Sequence, residues 1–446
     1  KPLANQRDLS RAYSPGVAEA CLEIKEDENT ASKYTSKGNL VAVISNGTAV
    51  LGLGNIGPGA SKPVMEGKAV LFKKFANIDC FDIEVDEDNP QRLAEIVASL
   101  EPTFGAINLE DIKAPDCFEV ERLCKEKMKI PVFHDDQHGT AIVVGAAAVN
   151  AIELSNRKIE NTKIVAVGAG ASGIACLEML VKLGAKRENI WLSDSKGLIT
   201  KNRIEINEEK KRFSQDSTLS NLDDVIKDCD MFLGLSGPGV LTSKMVLKMN
   251  KQPIIFALAN PDPEINPADA LKVAPDALIA TGRSDYPNQV NNVLCFPFIF
   301  RGALDVGATQ INDEMKLACI HAIANLARQT STAETVEAYQ GEILKFGKEY
   351  LIPKPFDPRL LPNVAVAVAE AAMKSGVASR PLKDVEAYKQ KLEGSVYKST
   401  ILMKPVFEAA KTSSRKIVFA EGEDERTLRT ALALLEETND KPILIG

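Results

Sequence analysis

The feature that most constrains this chain is a glycine loop set in a fixed context. An apolar run at 163–167 leads into Gly168-Ala169-Gly170-Ala171-Ser172-Gly173. An amphipathic stretch at 173–183 follows, then a second apolar run at 190–193, and Asp194 stands 21 residues beyond Gly173. A strand that turns through glycines into a helix and returns to a strand makes a right-handed β-α-β unit. The helix N–H groups then face a pyrophosphate. The spacing predicts a dinucleotide site built on Gly168, Ala169, Gly170, Ala171, Ser172 and Gly173. An acid at Asp194 accepts from a ribose 2′-hydroxyl and favours NAD. Ser195 and Lys196 follow at once and can hold a 2′-phosphate, so this pattern leaves NADP and NAD both open.

Further apolar runs at 231–234, 254–259 and 278–280 continue the alternation. They imply a doubly wound parallel sheet over residues 138–385. Residues 1–137 form a separate α/β layer, in which strands at 40–44, 50–53 and 106–109 alternate with helices at 90–100 and 117–128. With 446 residues, the chain is too long for one core, and two or three domains are expected. Residues 140–152, rich in Gly and Ala, read as a buried helix. From Gly376 the chain turns polar, and a helical stretch at 382–392 opens a linker over 386–414. A fresh β-α-β start occupies 415–446 (strands at 416–420 and 442–445, helix at 425–437) and is too short to bury a core alone. A start at Lys1 and an end just past a strand read as cuts in something longer.

Several functions are excluded. The net charge is −7 and no basic run is interleaved with aromatics, so nucleic acid is not the expected partner. No apolar run reaches the roughly 18 residues of a membrane span, and no signal peptide is visible. The eight cysteines are scattered without a C-x-x-C pair, which points to a reducing, cytoplasmic setting. Cys117 and Cys124 can share a helix face, but they lack partners at zinc-ligand spacing.

Two acidic pairs carry the chemistry. The run at 106–109 ends in Glu110-Asp111, and the run at 130–133 leads into His134-Asp135-Asp136-Gln137-His138. Glu110, Asp111 and Asp136 together offer an oxygen-only set suited to Mg²⁺ or Mn²⁺. The plainer alternative is acids that are solvated or cap helices. His134 and His138 are four apart, but they flank acids rather than forming H-E-x-x-H, and they read as exposed or supporting residues. A second glycine loop, Gly52-Leu53-Gly54-Asn55-Ile56-Gly57, is followed by Pro58 and Pro63. It reads as a rigid extended loop lining a cleft, not as a second nucleotide site. Lys68 stands just beyond it on an apolar run; a desolvated lysine near a cation can act as a base. An ordinary surface lysine is the competing reading.

Taken together, these stretches resemble malic enzymes, in particular the bacterial hybrid form with an appended phosphotransacetylase-like domain. The likeness rests on residues 11–18, 45–57, 66–68, 108–112, 133–140, the 168–173 loop, Ala259-Asn260-Pro261 and Asn291-Asn292-Val293, and covers about 1–385. Residues 415–446 are similar only to the start of a phosphotransacetylase. The resemblance implies oxidative decarboxylation of L-malate to pyruvate and CO₂, with NADP (NAD as the alternative) and Mg²⁺ or Mn²⁺. It implies a malic domain (1–137) and a Rossmann-type domain (138–385). It implies Tyr13 as general acid, Lys68 as base with Asp135 bonded to it, and Glu110, Asp111 and Asp136 as metal ligands. Asn260, Asn291 and Asn292 correspond to residues holding substrate or nicotinamide. It also implies a homo-oligomer (a dimer, or a hexamer in the full-length form) and acetyl-CoA regulation through a C-terminal domain mostly missing here. Ala49 departs from larger eukaryotic forms, which carry Arg there, so carboxylate recognition differs. The rival functions are another metal-dependent 2-hydroxy-acid dehydrogenase or decarboxylase, and a CoA-ester-sensing module with a decayed dehydrogenase half.

Overall fold

Residues Leu40–Ser45 (β1) are buried along their whole length, as a parallel strand covered on both faces must be. The structure, a computed structural model, describes residues 3–50, 52–204, 206–330, 339, 344–396, 414–424, 427–428, 430–431, 434–435 and 439–446. They fall into two compact units, residues 1–385 and 386–446.

In the larger unit β1 pairs in parallel with β2 (Asp79–Glu84) on one side and β3 (Ala106–Leu109) on the other, and β3 pairs with β4 (Val132–His134). The register sets Ile44 beside Leu109 and Leu109 beside His134. The carboxyl ends of β1, β3 and β4 therefore lie level, and whatever follows each strand emerges at one edge. The chain reaches this sheet through α1 (Gln6–Ala12), α2 (Val17–Glu26) and the short α3 (Ala31–Tyr34), none of which has a buried residue. The crossovers are α4 (Gly57–Ala76), α5 (Pro90–Ser99) and α6 (Asp116–Lys127). Leu93, Val97, Val120 and Cys124 of α5 and α6 close one core with Ile44 and Ile107.

From His134 the chain passes directly into α7 (Asp135–Leu154), whose Ala, Val and Gly residues are buried on nearly every side. A helix apolar all round belongs in a core, and α7 packs on α8 (Ala171–Lys182) and α14 (Asp313–Arg328). The second sheet has the order β10-β9-β8-β5-β6-β7. Its strands are β5 (Ile164–Val167), β6 (Ile190–Asp194), β7 (Gly197–Leu198), β8 (Met231–Gly234), β9 (Ile254–Ala257) and β10 (Leu278–Thr281). All are parallel except β7, which turns back along β6. Short helices α9 (Glu208–Lys211), α10 (Leu222–Val225), α11 (Ser243–Val246) and α12 (Pro267–Val273) fill the later connections. The chain leaves β5 to one side for β6 and to the other for β8. Their carboxyl ends thus flank a topological switch point, where such folds bind ligands.

Helix α13 (Phe296–Asp305) returns to the first sheet. Phe72 of α4 meets Phe296 and Phe300 edge-on at 4.8 and 5.2 Å, and Phe133 of β4 meets Phe300 at 5.6 Å. The helix Leu360–Lys374 covers α13 and α14.

Two expectations are corrected. Of the expected strand at 50–53, the described residues Val50, Gly52 and Leu53 belong to a tight turn, with Val50 accepting from the Gly54 N–H at 2.8 Å. Nor does the extended loop continue through the prolines, because α4 starts at Gly57 and contains both. Pro58 lies in the first turn, where no N–H is needed, while Pro63 forfeits one bond and crowds the carbonyl four residues back. Burial of Met65, Phe72 and Ala76 offsets that loss.

In the smaller unit, β11 (Lys416–Phe419) pairs in parallel with β12 (Lys441–Leu444). A helix, Val385–Val396, begins at the border between the units. The expected helix at 425–437 lies partly outside the described residues, as does the linker from 397 to 413. Among the described residues no helix is long and apolar enough to cross a membrane.

Phe72→Ala should destabilise the chain by about 3–5 kcal/mol, because a fully buried ring is lost and little can collapse into the gap. Urea denaturation followed by tryptophan fluorescence measures this.

Candidate active site

The level strand ends bring Glu110, Asp111 and Asp136 together. One carboxylate oxygen from each lies within 4.8 Å of the others, and Glu110 and Asp111 are buried. Asp111 adopts a left-handed backbone, φ 53°, at a cost of about 1–2 kcal/mol for a residue with a Cβ. In that conformation its N–H donates to Asp136 Oδ2 at 2.8 Å and its carbonyl accepts from the Ala49 N–H at 2.9 Å. An all-oxygen, mostly buried trio of acids suits a hard divalent cation, which also takes water or ligand oxygens.

Lys68 projects from α4 into this cluster. Its Nζ donates to Glu110 Oε1 at 2.9 Å and to Asp135, and lies 4.1 Å from the centre of the Phe296 ring. Asp135 is fully buried. Asn292 Nδ2 donates to its Oδ2 at 3.0 Å, while Asn292 Oδ1 accepts from Thr140 at 3.1 Å. Gly139 answers a steric demand, since a Cβ there would stand 1.9 Å from Asp135 Oδ1. Asn108 donates to Glu110 Oε2 at 2.8 Å.

Burial raises all three acids of the trio, Glu110 to about 8 and Asp111 and Asp136 to about 7, with neighbouring carboxylates adding to it. Burial opposes charge on Lys68, but Asp135 and Glu110 outweigh it and hold the ammonium above its usual range. His134 Nδ1 lies 3.7 Å from Asp136 Oδ2, whereas His138 faces other partners. His134 is completely buried, not exposed, because it ends a covered strand. His138 Nε2 lies 2.7 Å from Glu121 and its Nδ1 3.3 Å from Lys316. Burial pushes the two imidazoles down to about 4 and about 3, so both are neutral. Cys117 and Cys124 are core residues of α6.

The 168–173 loop joins β5 to α8. Gly168 has φ +107° and a Cβ there would strike the Leu235 carbonyl at 2.2 Å; at Gly170 nothing lies within 4 Å of that position. The loop is thus tight against the sheet and open outward, the shape a pyrophosphate needs. Ser172 Oγ donates to the Asp136 carbonyl at 2.8 Å, tying the loop to the acidic cluster. Asp194 ends β6 and is bonded by Arg203, Lys210 and the Lys196 N–H.

Other expected residues have different surroundings. Asn260 is exposed just past β9. Asn291 Oδ1 accepts from the Val293 N–H at 3.0 Å. Tyr13 caps the end of α1 and is 71% exposed. Among the described residues no side-chain hydrogen bond joins Tyr13 to the cluster.

The profile described as "Malic enzyme, N-terminal domain" matches residues 1–95, and that described as "Malic enzyme, NAD binding domain" matches residues 137–339. Residues 401–446 match "Phosphate acetyl/butaryl transferase". A protein of Halomonas elongata named "NADP-dependent malic enzyme" is 55% identical over 381 residues, covering 85% of this chain and 90% of that protein. The chain belongs to the malic enzyme family. It is also 60% identical over 448 residues to a "NAD-dependent malic enzyme" of Rhizobium meliloti, covering all of this chain and 58% of that protein. It therefore spans less than two thirds of the length of that relative. The crystal structure of a malic enzyme from Pyrococcus horikoshii superposes with a TM-score of 0.81 at 42% identity, covering 90% of this chain and 92% of the other.

Some residues of this cluster carry little signal in the sequence. Asn108 and Thr140 lie inside the motifs that drew attention, so their polarity beside acids was the available signal. Phe296, Arg203 and Lys210 lie in no motif, and only the fold brings them to their partners.

The raised carboxyls give a sign for metal binding. The trio holds protons near neutrality that a divalent ion must displace, so affinity rises with pH. Calorimetric titration with Mn²⁺ should show tighter binding at pH 8 than at pH 6, with proton release, and Asp136→Asn should weaken it at least about tenfold.

Proposed function

We propose that this chain oxidises L-malate to pyruvate and CO₂ while reducing NADP⁺ in preference to NAD⁺, using Mg²⁺ or Mn²⁺. The observation that carries the reading is a lysine set inside a carboxylate cage, with Lys68 Nζ 2.9 Å from Glu110 and bonded to Asp135. A nucleotide loop is hydrogen-bonded to the same cage through Ser172. Residues 1–137 would serve substrate and metal, and residues 138–385 the dinucleotide.

Glu110, Asp111 and Asp136 would hold the cation. When bound, it supplies positive charge beside Glu110, polarises substrate oxygens and lowers the proton affinity of Lys68. The 168–173 loop would hold the dinucleotide, which would supply the hydride acceptor for C2. Lys68 Nζ takes the C2 hydroxyl proton, and Asp135 and the Phe296 ring fix its direction. Asn292 braces Asp135, and Asn260, Asn291 and Asn292 line the substrate and nicotinamide end. Residues 168–173 present backbone N–H groups to the pyrophosphate. After CO₂ leaves, Tyr13 Oη returns a proton to C3, so one proton is taken and one is given back.

The relatives' names support both dinucleotides, NAD in the Rhizobium protein and NADP in the Halomonas protein. Lys196 beside Asp194 favours NADP. The same reading includes a homo-oligomer and acetyl-CoA sensing, the latter supported by the acyltransferase match at 401–446. All eight cysteines are free thiols, which fits a reducing cytoplasm.

Malate and Mn²⁺ should drive NADP⁺ reduction with stoichiometric pyruvate and CO₂. Lys68→Ala should cut kcat by about 10²–10⁴-fold, the range of a lost general base. Its Mn²⁺ affinity should be unchanged or higher, since a positive charge beside Glu110 is gone. Undiminished turnover in this variant would sink the assignment.

A further inference from the structure

Asp194 ends β6, where folds of this kind meet the adenosine ribose. Four donors close on it. Oδ1 accepts from Arg203 Nη1 at 2.9 Å and from the Lys196 N–H at 2.9 Å. Oδ2 accepts from Arg203 Nη2 at 3.2 Å and from Lys210 Nζ at 2.9 Å. A carboxylate has about four lone-pair sites, so Asp194 has no capacity left for a ribose hydroxyl. The acid that looked like an NAD signal is already satisfied by the protein.

The two cations are held firmly yet reachable. Arg203 Nη1 also donates to the carbonyls of Gly197 and Leu198, at 3.2 and 3.4 Å. Lys210 stands on α9, which Asn207 caps through the Lys210 N–H at 3.0 Å. Their side chains keep 19% and 24% of their surface exposed, against 10% for Asp194. Lys210 gives Asp194 one of its three ammonium hydrogens, and Arg203 has five donors in all. Burial works against charge on Asp194, but the Arg203 and Lys210 bonds outweigh it and push the carboxyl down to about 2. It therefore stays ionised and bonded at neutral pH.

Among the described residues, two side-chain cations are bonded to the one carboxylate of Asp194, and Ser195 and Lys196 stand exposed beside it. A phosphate monoester brings roughly −1.5 to −2 charge at pH 7, whereas a hydroxyl brings none. We propose that Arg203 and Lys210, positioned by Asp194, hold the 2′-phosphate of NADP and make this chain discriminate against NAD. Asp194 is then a positioning residue and not the ribose acceptor. The inference deepens the dinucleotide reading above and relies on it only for where the nucleotide lies.

The test is calorimetric binding of adenosine 2′,5′-bisphosphate and of 5′-AMP to the full chain, without malate or metal. The unsubstituted chain should bind the bisphosphate at least about tenfold tighter, the scale of one charge-assisted hydrogen bond. Arg203→Ala and Lys210→Gln should each remove most of that gap and leave 5′-AMP affinity unchanged. Asp194→Asn should narrow the gap as well, since it frees the cations from their fixed places. Lys210→Gln, on a partly exposed four-residue helix, keeps the test open if Arg203→Ala does not fold. Equal affinity for the two ligands in the unsubstituted chain would overturn the inference, as would variants that weaken both ligands alike. Malate-dependent reduction with no bisphosphate preference would leave the proposed reaction standing and this inference refuted. The reverse pattern would refute only the reaction.

Discussion

The parallel register of β1, β3 and β4 is the constraint on which the rest depends. It places the ends of three strands level, and the residues that follow β3 and β4 are acids. Glu110, Asp111, Asp135 and Asp136 share a small, largely buried volume with the ammonium of Lys68. Like charges buried together repel, and each also loses its water. The surroundings are built around that strain. Asn108 and Asn292 donate to carboxylate oxygens, Asp111 turns its N–H to Asp136, and Gly139 gives up a side chain to leave room for Asp135. Such a cluster is at its most comfortable with more positive charge than the chain itself provides.

Loops of the second sheet reach this cluster too. Ser172, in the glycine loop, reaches the Asp136 carbonyl, and α7 carries both aspartates at its start while its body packs on α8. The aromatic contacts of Phe72 and Phe133 with α13 then clamp α4, and with it Lys68, from the other side. Lys68, the carboxylates and the glycine loop are thus held by packing from both sheets.

Much of this was legible in the residues, for identifiable reasons. The glycine loop was readable because three small residues between an apolar run and an amphipathic one admit few backbone paths. The acidic pairs stood out because each ends an apolar run, and parallel pairing brings such ends together. Local rules failed where tertiary packing overrode them. Pro58 and Pro63 argued for extended chain, yet α4 forms because its buried face outweighs one missing hydrogen bond. The run at 50–53 was apolar enough for a strand, yet Val50 bonds to Gly54 in a tight turn. His134 is polar by type and buried by position, since it ends a strand covered on both faces. Asp194 is a different case: its carboxylate is bonded by Arg203 and Lys210, 9 and 16 residues on, which no spacing rule connects to it.

Helix α7 has one further implication. Its first turn bears Asp135 and Asp136, and its remaining turns are enclosed by α8 and α14. A helix advances about 100° per residue, so gaining or losing one residue within it would swing the two carboxylates a quarter-turn away from Glu110 and Lys68. The surface loops of this protein can drift in length over evolutionary time, while the residue count between Asp136 and Asn150 behaves as a ruler that cannot be recut.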